Sequence, residues 1–149
     1  MSELYDIFQQ RLSISKQVQG VWRTIDEGAQ VPPVVAPGSL RRVLVALWVQ
    51  DRGRRALYVT TDPLVAEQAR DDFSTLLGAE RVAHFLEPSD TPVEFRLQSL
   101  SQQSAHVRAV ELLIGSTPAV VVTSLQGLTC PLQPPESIRQ HSIILRQGQ

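Results

Sequence analysis

The stretch from Pro37 to Arg42 comes nearest to a binding site in its residue types and spacing. The sequence predicts a brief strand at residues 34–35, a turn at Pro37 and Gly38, and a helix capped by Ser39. A strand, a tight turn and a helix in this order form a phosphate-binding loop, because backbone N–H groups and the helix dipole then face an anion. Residues 38–42 are therefore the first candidates for chemistry.

The phosphate loop is incomplete. A working loop reads Gly-x-x-x-x-Gly-Lys-Ser/Thr, where lysine reaches the phosphates and the hydroxyl holds magnesium. Here only one glycine, Gly38, remains, no lysine lies nearby, and neither Arg41 nor Arg42 is followed by Ser or Thr. The strand predicted at 119–123 runs into a serine rather than a metal-holding acid. We interpret Gly38, Ser39, Arg41 and Arg42 as degenerate phosphate-loop positions and a structural helix start, with no ATP hydrolysis and no cofactor.

A second set of residues suggests contact with a nucleic-acid backbone. Arg54 and Arg55 belong to the densest basic stretch of the chain, while Thr61 and Ser124 lie just past the predicted carboxyl ends of two strands, where α/β folds bind ligands. The alternative is simpler. Arginines at a turn are usually solvated, and Thr61 and Ser124 suit helix capping, which we favour.

The histidines and the cysteine suggest no metal site. His84, His106 and His141 fall on separate predicted elements, and Cys130 lies in a proline-rich loop without a histidine nearby in sequence. A single cysteine also excludes an internal disulfide and is typical of a reducing compartment. We expect no metal, no catalytic residue and an inert thiol. Asp71 and Asp72 are interpreted as a solvated pair on a helix.

Hydrophobic patterning predicts an α/β fold in which these residues sit around a mostly parallel sheet with helices on both faces, in three layers. The N-terminal helical stretch is expected to be one long helix or two, with Gly20 as the natural place for a bend, and its apolar stripe is expected to dock on the sheet or, equally, to cover a partner. The strand at 56–60 is expected to be buried on both faces. The predicted helices are 2–27, 40–52, 63–77 and 97–114, and the strands are 34–35, 56–60, 81–87, 119–123 and 142–146, with a loop at 87–92.

The chain length and the net charge limit the classes of protein to which this sequence can belong. A chain of 149 residues fits one domain with a sizeable core. The net charge of −1 gives no general attraction to nucleic acid or to a membrane. Because the sequence contains no apolar run long enough for a signal peptide or a membrane span, we expect a cytoplasmic location.

Four motifs, in order and spacing, resemble the N-terminal module of the bacterial transcription-repair coupling factor, which is itself similar to the first helicase domain of the excision-repair protein UvrB. The resemblance covers roughly residues 30 to 149. The motifs are Gly-Ser-Leu-Arg-Arg-Val-Leu at 38–44, Tyr-Val-Thr-Thr-Asp at 58–62, Phe-Leu-Glu-Pro-Ser-Asp-Thr-Pro at 85–92, and Val-Val-Val-Thr-Ser-Leu-Gln-Gly-Leu at 120–128.

The resemblance implies a degenerate P-loop or helicase-like (RecA-like) domain that acts as a non-catalytic scaffold in transcription-coupled DNA repair. Its parent is an ATP-dependent DNA translocase whose partners are RNA polymerase, UvrA and double-stranded DNA. Residues 1–28 would be a helical segment packed on the domain at 29–141, and 142–149 the first strand of a following, UvrA-binding module. The alternative is a free-standing small α/β binding module of unknown partner, with a response to nucleotide as one option.

Overall fold

The computed structural model describes residues 3–12, 14–86 and 95–130, together with Pro134 and Glu136. Within this part helices and strands alternate from the third helix onward, as the patterning predicts. The elements are α1 (Glu3–Leu12), α2 (Lys16–Asp26), α3 (Leu40–Arg52), β1 (Arg55–Thr60), α4 (Pro63–Leu77), β2 (Val82–Phe85), α5 (Phe95–Ile114) and β3 (Ala119–Ser124), with short 3₁₀ helices at Ala79–Arg81 and Gly127–Thr129.

The three strands form a parallel sheet in the order β1, β3, β2. Strand β3 is central, and all six of its residues are buried. The register pairs Arg55 with Ala119 at one end of β1 and Thr60 with Ser124 at the other. The predicted parallel α/β sheet is therefore confirmed for these strands.

The order of the strands explains why helices cover both faces. The chain crosses from β1 past β3 to β2 through α4, then returns to β3 through α5. Right-handed crossovers in opposite directions place their helices on opposite faces. Accordingly, Val120 and Val122 of β3 pack with α3 and α4, while Val121 packs with Ala109 of α5. The result is a three-layer α/β arrangement.

Strand β1 departs from the expectation that both of its faces are buried. Ala56 and Tyr58 pack into the core on the α3 and α4 side. On the other face, Leu57 is 47% exposed and Val59 is 39% exposed. The apolar run predicted burial on both sides, but β1 lies at the edge of the described sheet, where α5 covers this face only in part.

The N-terminal stretch forms two helices, and two expectations about it are wrong. The break lies between Leu12 and Lys16, whereas Gly20 sits inside α2. The amphipathic face docks on α3 rather than on the sheet, since buried Trp22 packs with Val43 and Leu47. An outer helical layer thus covers α3, because α3 itself occupies the sheet face that α2 was expected to cover.

The predicted strand at residues 34–35 does not form, since residues 29–37 have no regular secondary structure. Pro32 and Pro33 lack the N–H donors that a sheet neighbour needs, and Val35 is 96% exposed. The predictions for the loop at 87–92 and the strand at 142–146 fall outside the described residues. Within the described part, no helix is long and apolar enough to cross a membrane.

Candidate functional site

The start of α3 holds the four degenerate phosphate-loop positions. Gly38 has a φ of 54°, which favours glycine, and it completes the turn into the helix. Ser39 has an αR backbone and makes no side-chain cap hydrogen bond, so the predicted capping role is wrong. Because no strand precedes the turn, the strand-turn-helix geometry of a phosphate loop is not present at residues 34–42.

Backbone donors at this helix start are already used locally. The N–H of Leu40 donates to the carbonyl of Pro37 at 3.2 Å, and the N–H of Arg42 donates to the carbonyl of Ser39 at 2.9 Å. An anion at a helix N-terminus depends on such first-turn N–H groups pointing outward without partners. The local hydrogen bonds therefore compete with any bound phosphate.

Arg42 turns inward and ties α3 to α4. The residue is only 8% exposed, and its Nη1 lies 2.5 Å from Oδ2 of Asp72. The expectation of a solvated Asp71 and Asp72 pair holds for Asp71, which is exposed and bonded to Arg70. It is wrong for Asp72, whose carboxylate meets a buried guanidinium. Packing of α3 on α4 brings together residues thirty positions apart.

The ion pair keeps Arg42 charged despite its burial. Burial by itself lowers the pKa of the guanidinium, but hydrogen bonds to Asp72 and Tyr58 and their charge interactions outweigh it, so the pKa lies above its ordinary value. Tyr58 is held in turn by an edge contact with Phe73, 5.1 Å between ring centroids. The arginine is thus a cross-link between α3 and α4.

Arg41 occupies a different environment from its neighbour. It is exposed and lines one side of an apolar cavity of about 190 Å³ between α2, the segment at 34–36 and α3. Apolar side chains make up the rest of this cavity, which we call the α2/α3 groove: Val21, Trp22, Ile25, Val34, Ala36, Leu44, Val45 and Trp48. Arg41 is therefore the degenerate-loop arginine that remains available to a ligand.

The residues predicted to contact a nucleic-acid backbone do not form one cluster. Arg54 and Arg55 precede or open β1, whereas Thr61 follows its last residue and Ser124 ends the neighbouring β3. The level of Ser124 lies five residue steps along β1 from Arg55, which is about 16 Å. Ser124 is in addition buried, so the four residues do not form one exposed surface, and the nucleic-acid role of the exposed arginines stays a prediction.

The hydroxyl residues at the carboxyl end of the sheet serve local structure. Ser124 is buried, and its Oγ accepts a hydrogen bond from the N–H of Gly127 at 3.0 Å, within the turn that leads into the 3₁₀ helix at Gly127–Thr129. Asp62 caps α4, with Oδ1 2.7 Å from the N–H of Leu64. Thr61 is exposed and lies just before this cap, so the capping residue of α4 is Asp62 and not Thr61. This edge of the sheet is therefore organised by capping.

Sequence reasoning missed the apolar patch on the α5 side of β1. Its members are Leu57 and Val59, with Leu128 beside them at 49% exposure. A small cavity of about 70 Å³ continues the patch inward, between Leu57 and Cys130. No alternation in the sequence could reveal it, because residues on both faces of β1 are apolar or aromatic.

Among the residues that the structure describes, no three His, Cys, Asp or Glu side chains converge as metal ligands. Cys130 is buried against Phe85 and Ala109, and His106 stacks on Phe85 with 4.0 Å between ring centroids. Nε2 of His106 lies 2.8 Å from the carbonyl oxygen of Leu86. These groups stabilise the α5 side of the core. Comparisons of the chain with protein-family models, curated proteins and solved structures find no match.

Proposed function

We propose that this chain is a non-catalytic scaffold domain, a degenerate helicase-like (RecA-like) domain similar to the N-terminal module of the transcription-repair coupling factor. The observation that supports this proposal is the ion pair between Arg42 and Asp72. At a working phosphate loop the basic side chain reaches out to the nucleotide. Here the Arg42 side chain instead pairs with Asp72 and holds α3 against α4.

The contribution of such a domain to repair is mechanical rather than chemical. In the proposed parent, ATP-driven translocation on double-stranded DNA and contacts with stalled RNA polymerase and UvrA belong to other modules. This chain supplies a rigid body that connects them, in the cytoplasm and without a cofactor. Exposed Arg54 and Arg55 are its remaining candidates for a phosphate contact.

A second candidate function is a free-standing α/β binding module. The α2/α3 groove favours it, since an apolar cavity of about 190 Å³ with one guanidinium at its side suits a small ligand with an apolar body and an anionic group. On this reading Arg41, and not Arg42, binds the anion.

The coding frame beyond residue 149 separates the two candidates. The scaffold proposal expects it to continue into a UvrA-binding module and an ATP-dependent translocase. A stop codon directly after Gln149 would favour the free-standing module instead.

Retention of UvrA tests whether UvrA binding belongs to the module that follows this domain. A specific interface usually buries about 800 Å² on each partner, more than residues 142–149 offer. Immobilised residues 1–149 should therefore fail to retain UvrA, and the chain extended through the following module should retain it. Tight retention by residues 1–149 alone would contradict the proposed module boundary.

A further inference from the structure

The α2/α3 groove continues into a second cavity along the same helices. The second cavity has a volume of about 260 Å³. Five residues line both cavities: Val21, Trp22, Val34, Ala36 and Leu44. Val18 lines the second cavity and Ile25 the first, which makes the combined cleft about 10 Å long along α2. The two cavities together reach the roughly 300–1,000 Å³ that is typical of small-molecule sites.

One charged side chain lines this combined cleft, and it lies at one end. Arg41 lines the first cavity only, whereas the polar residues Ser15 and Gln17 line the second cavity only. No Asp, Glu or Lys lines either cavity. Arg41 is exposed, and within the described part of the chain it pairs with no carboxylate. Because an arginine stays protonated at physiological pH, one end of an apolar cleft carries an uncompensated positive charge.

The lining of the cleft includes apolar side chains that remain exposed to water. Val35 is 96% exposed, Val34 is 53% exposed and Ile25 is 36% exposed. A contiguous exposed apolar surface of this kind is typical of a binding site, since a ligand that covers it removes apolar area from water. Helix α2, helix α3 and the segment at 34–36 enclose the cleft from three sides. A narrow, chain-like molecule suits this shape.

We propose that the combined cleft binds a medium-chain alkyl carboxylate, with the carboxylate on the Arg41 guanidinium and the alkyl chain between α2 and the segment at 34–36. The charge selects an anion, because a guanidinium and a carboxylate form strong, charge-assisted hydrogen bonds. The apolar walls select the unbranched chain. This inference rests on the second candidate function, whose ligand it names.

Tryptophan fluorescence of the full chain provides the test, because the two tryptophans of the sequence, Trp22 and Trp48, both line the groove. The probes are decanoate and decylamine at pH 7, which carry the same alkyl chain and opposite charges. The ratio of their dissociation constants therefore isolates the effect of charge.

Three variants accompany the titration. Arg41→Met removes the charge of the cleft, and Arg23→Met is the matched control, since it removes an exposed arginine of α2 that lines neither cavity. Ala36→Phe fills the wall that both cavities share, from a position outside any helix or strand. Thermal melts show whether each variant remains folded.

We expect the wild-type protein and Arg23→Met to bind decanoate at least about tenfold more tightly than decylamine, and Arg41→Met to reduce this preference to less than about twofold. Ala36→Phe should bind neither probe. Equal affinity for both probes in the wild-type protein, or a preference that survives Arg41→Met, would overturn the inference but leave the groove as an apolar binding site. Binding of neither probe to the wild-type protein would overturn the inference and remove the support for the second candidate function, whereas the scaffold proposal is tested separately by UvrA retention.

Discussion

Nη1 of Arg42 lies 2.5 Å from Oδ2 of Asp72, and this contact joins the first turn of α3 to α4. The guanidinium is buried, whereas the Asp72 side chain is 38% exposed. Nε of Arg42 is buried without a hydrogen-bond partner in the described part of the chain. One hydrogen-bond donor of the Arg42 guanidinium is therefore left unused, and water reaches the Asp72 carboxylate. Both features weaken the ion pair relative to one that is fully buried and fully hydrogen-bonded.

Removing the Arg42 charge should destabilise the fold by about 1–3 kcal/mol, below the roughly 3–5 kcal/mol of fully buried pairs because water reaches Asp72. The change is Arg42→Met, which keeps much of the apolar stem. Arg41→Met is the matched control, since it removes the same charge from the adjacent, exposed position and should cost less than about 0.5 kcal/mol. Urea unfolding measures both, and equal midpoints for the two variants would contradict the inward role of Arg42.

The Arg42 contribution should not change between pH 7 and pH 9. A pKa that is raised in the folded state stabilises below the unfolded-state pKa and loses that effect only as pH passes the folded pKa. For Arg42 the ordinary pKa already lies far above this window and the folded pKa is higher still, so neither is reached between pH 7 and pH 9. The difference in unfolding free energy between wild type and Arg42→Met is the quantity to compare. A marked fall in that difference at pH 9 would rule out an arginine with a raised pKa.

Gly127 should tolerate no side chain. A Cβ there would overlap Oγ1 of Thr123 and approach the carbonyl oxygen of Phe85 to 3.2 Å. Gly127→Ala should therefore cost about 1–3 kcal/mol. Gly20→Ala is the opposite case, because nothing lies within 4 Å of its Cβ and the residue is inside α2, so we expect a gain of up to about 1 kcal/mol. Thermal melts of both variants decide this, and a neutral Gly127→Ala would show that the turn after β3 is not tightly packed.

Trp22 should be the main attachment of α2 to α3. It is 3% exposed and packs on Val43 and Leu47, and the guanidinium of Arg52 lies 5.9 Å from its ring centroid. Trp22→Ala should cost about 3–5 kcal/mol, while Ile25→Ala, on the more exposed side of the same helix, should cost much less. Similar losses for both variants in urea unfolding would contradict this anchoring role.

Helices whose ends are marked by capping and turn residues could be predicted from the sequence almost to the residue. Helix α4 follows the capping residue Asp62, begins at Pro63 and ends before Gly78, and these cap and turn signals act within a few residues. Features that depend on long-range packing could not be predicted. The burial of Arg42 depends on Asp72 thirty residues away, and the exposure of Leu57 depends on where β1 lies in the strand order.

In the candidate site, too, the roles of residues at the start of α3 depend on long-range packing that the sequence does not reveal. The sequence singles out residues 38–42 as a degenerate phosphate loop, but it gives Arg41 and Arg42 the same role. Their separation follows from the helical period, which turns adjacent residues about 100° apart, so that one faces α4 and the other faces the α2/α3 groove.

Calorimetric titration of the chain with Mg-ATP tests the central claim, that the start of α3 packs the fold and does not bind nucleotide. We expect no heat of binding for the wild-type protein or for Arg41→Ala, because Arg42 is paired with Asp72 and the N–H groups of Leu40 and Arg42 donate to local carbonyls. A micromolar Kd for the wild-type protein that is abolished by Arg41→Ala would contradict it.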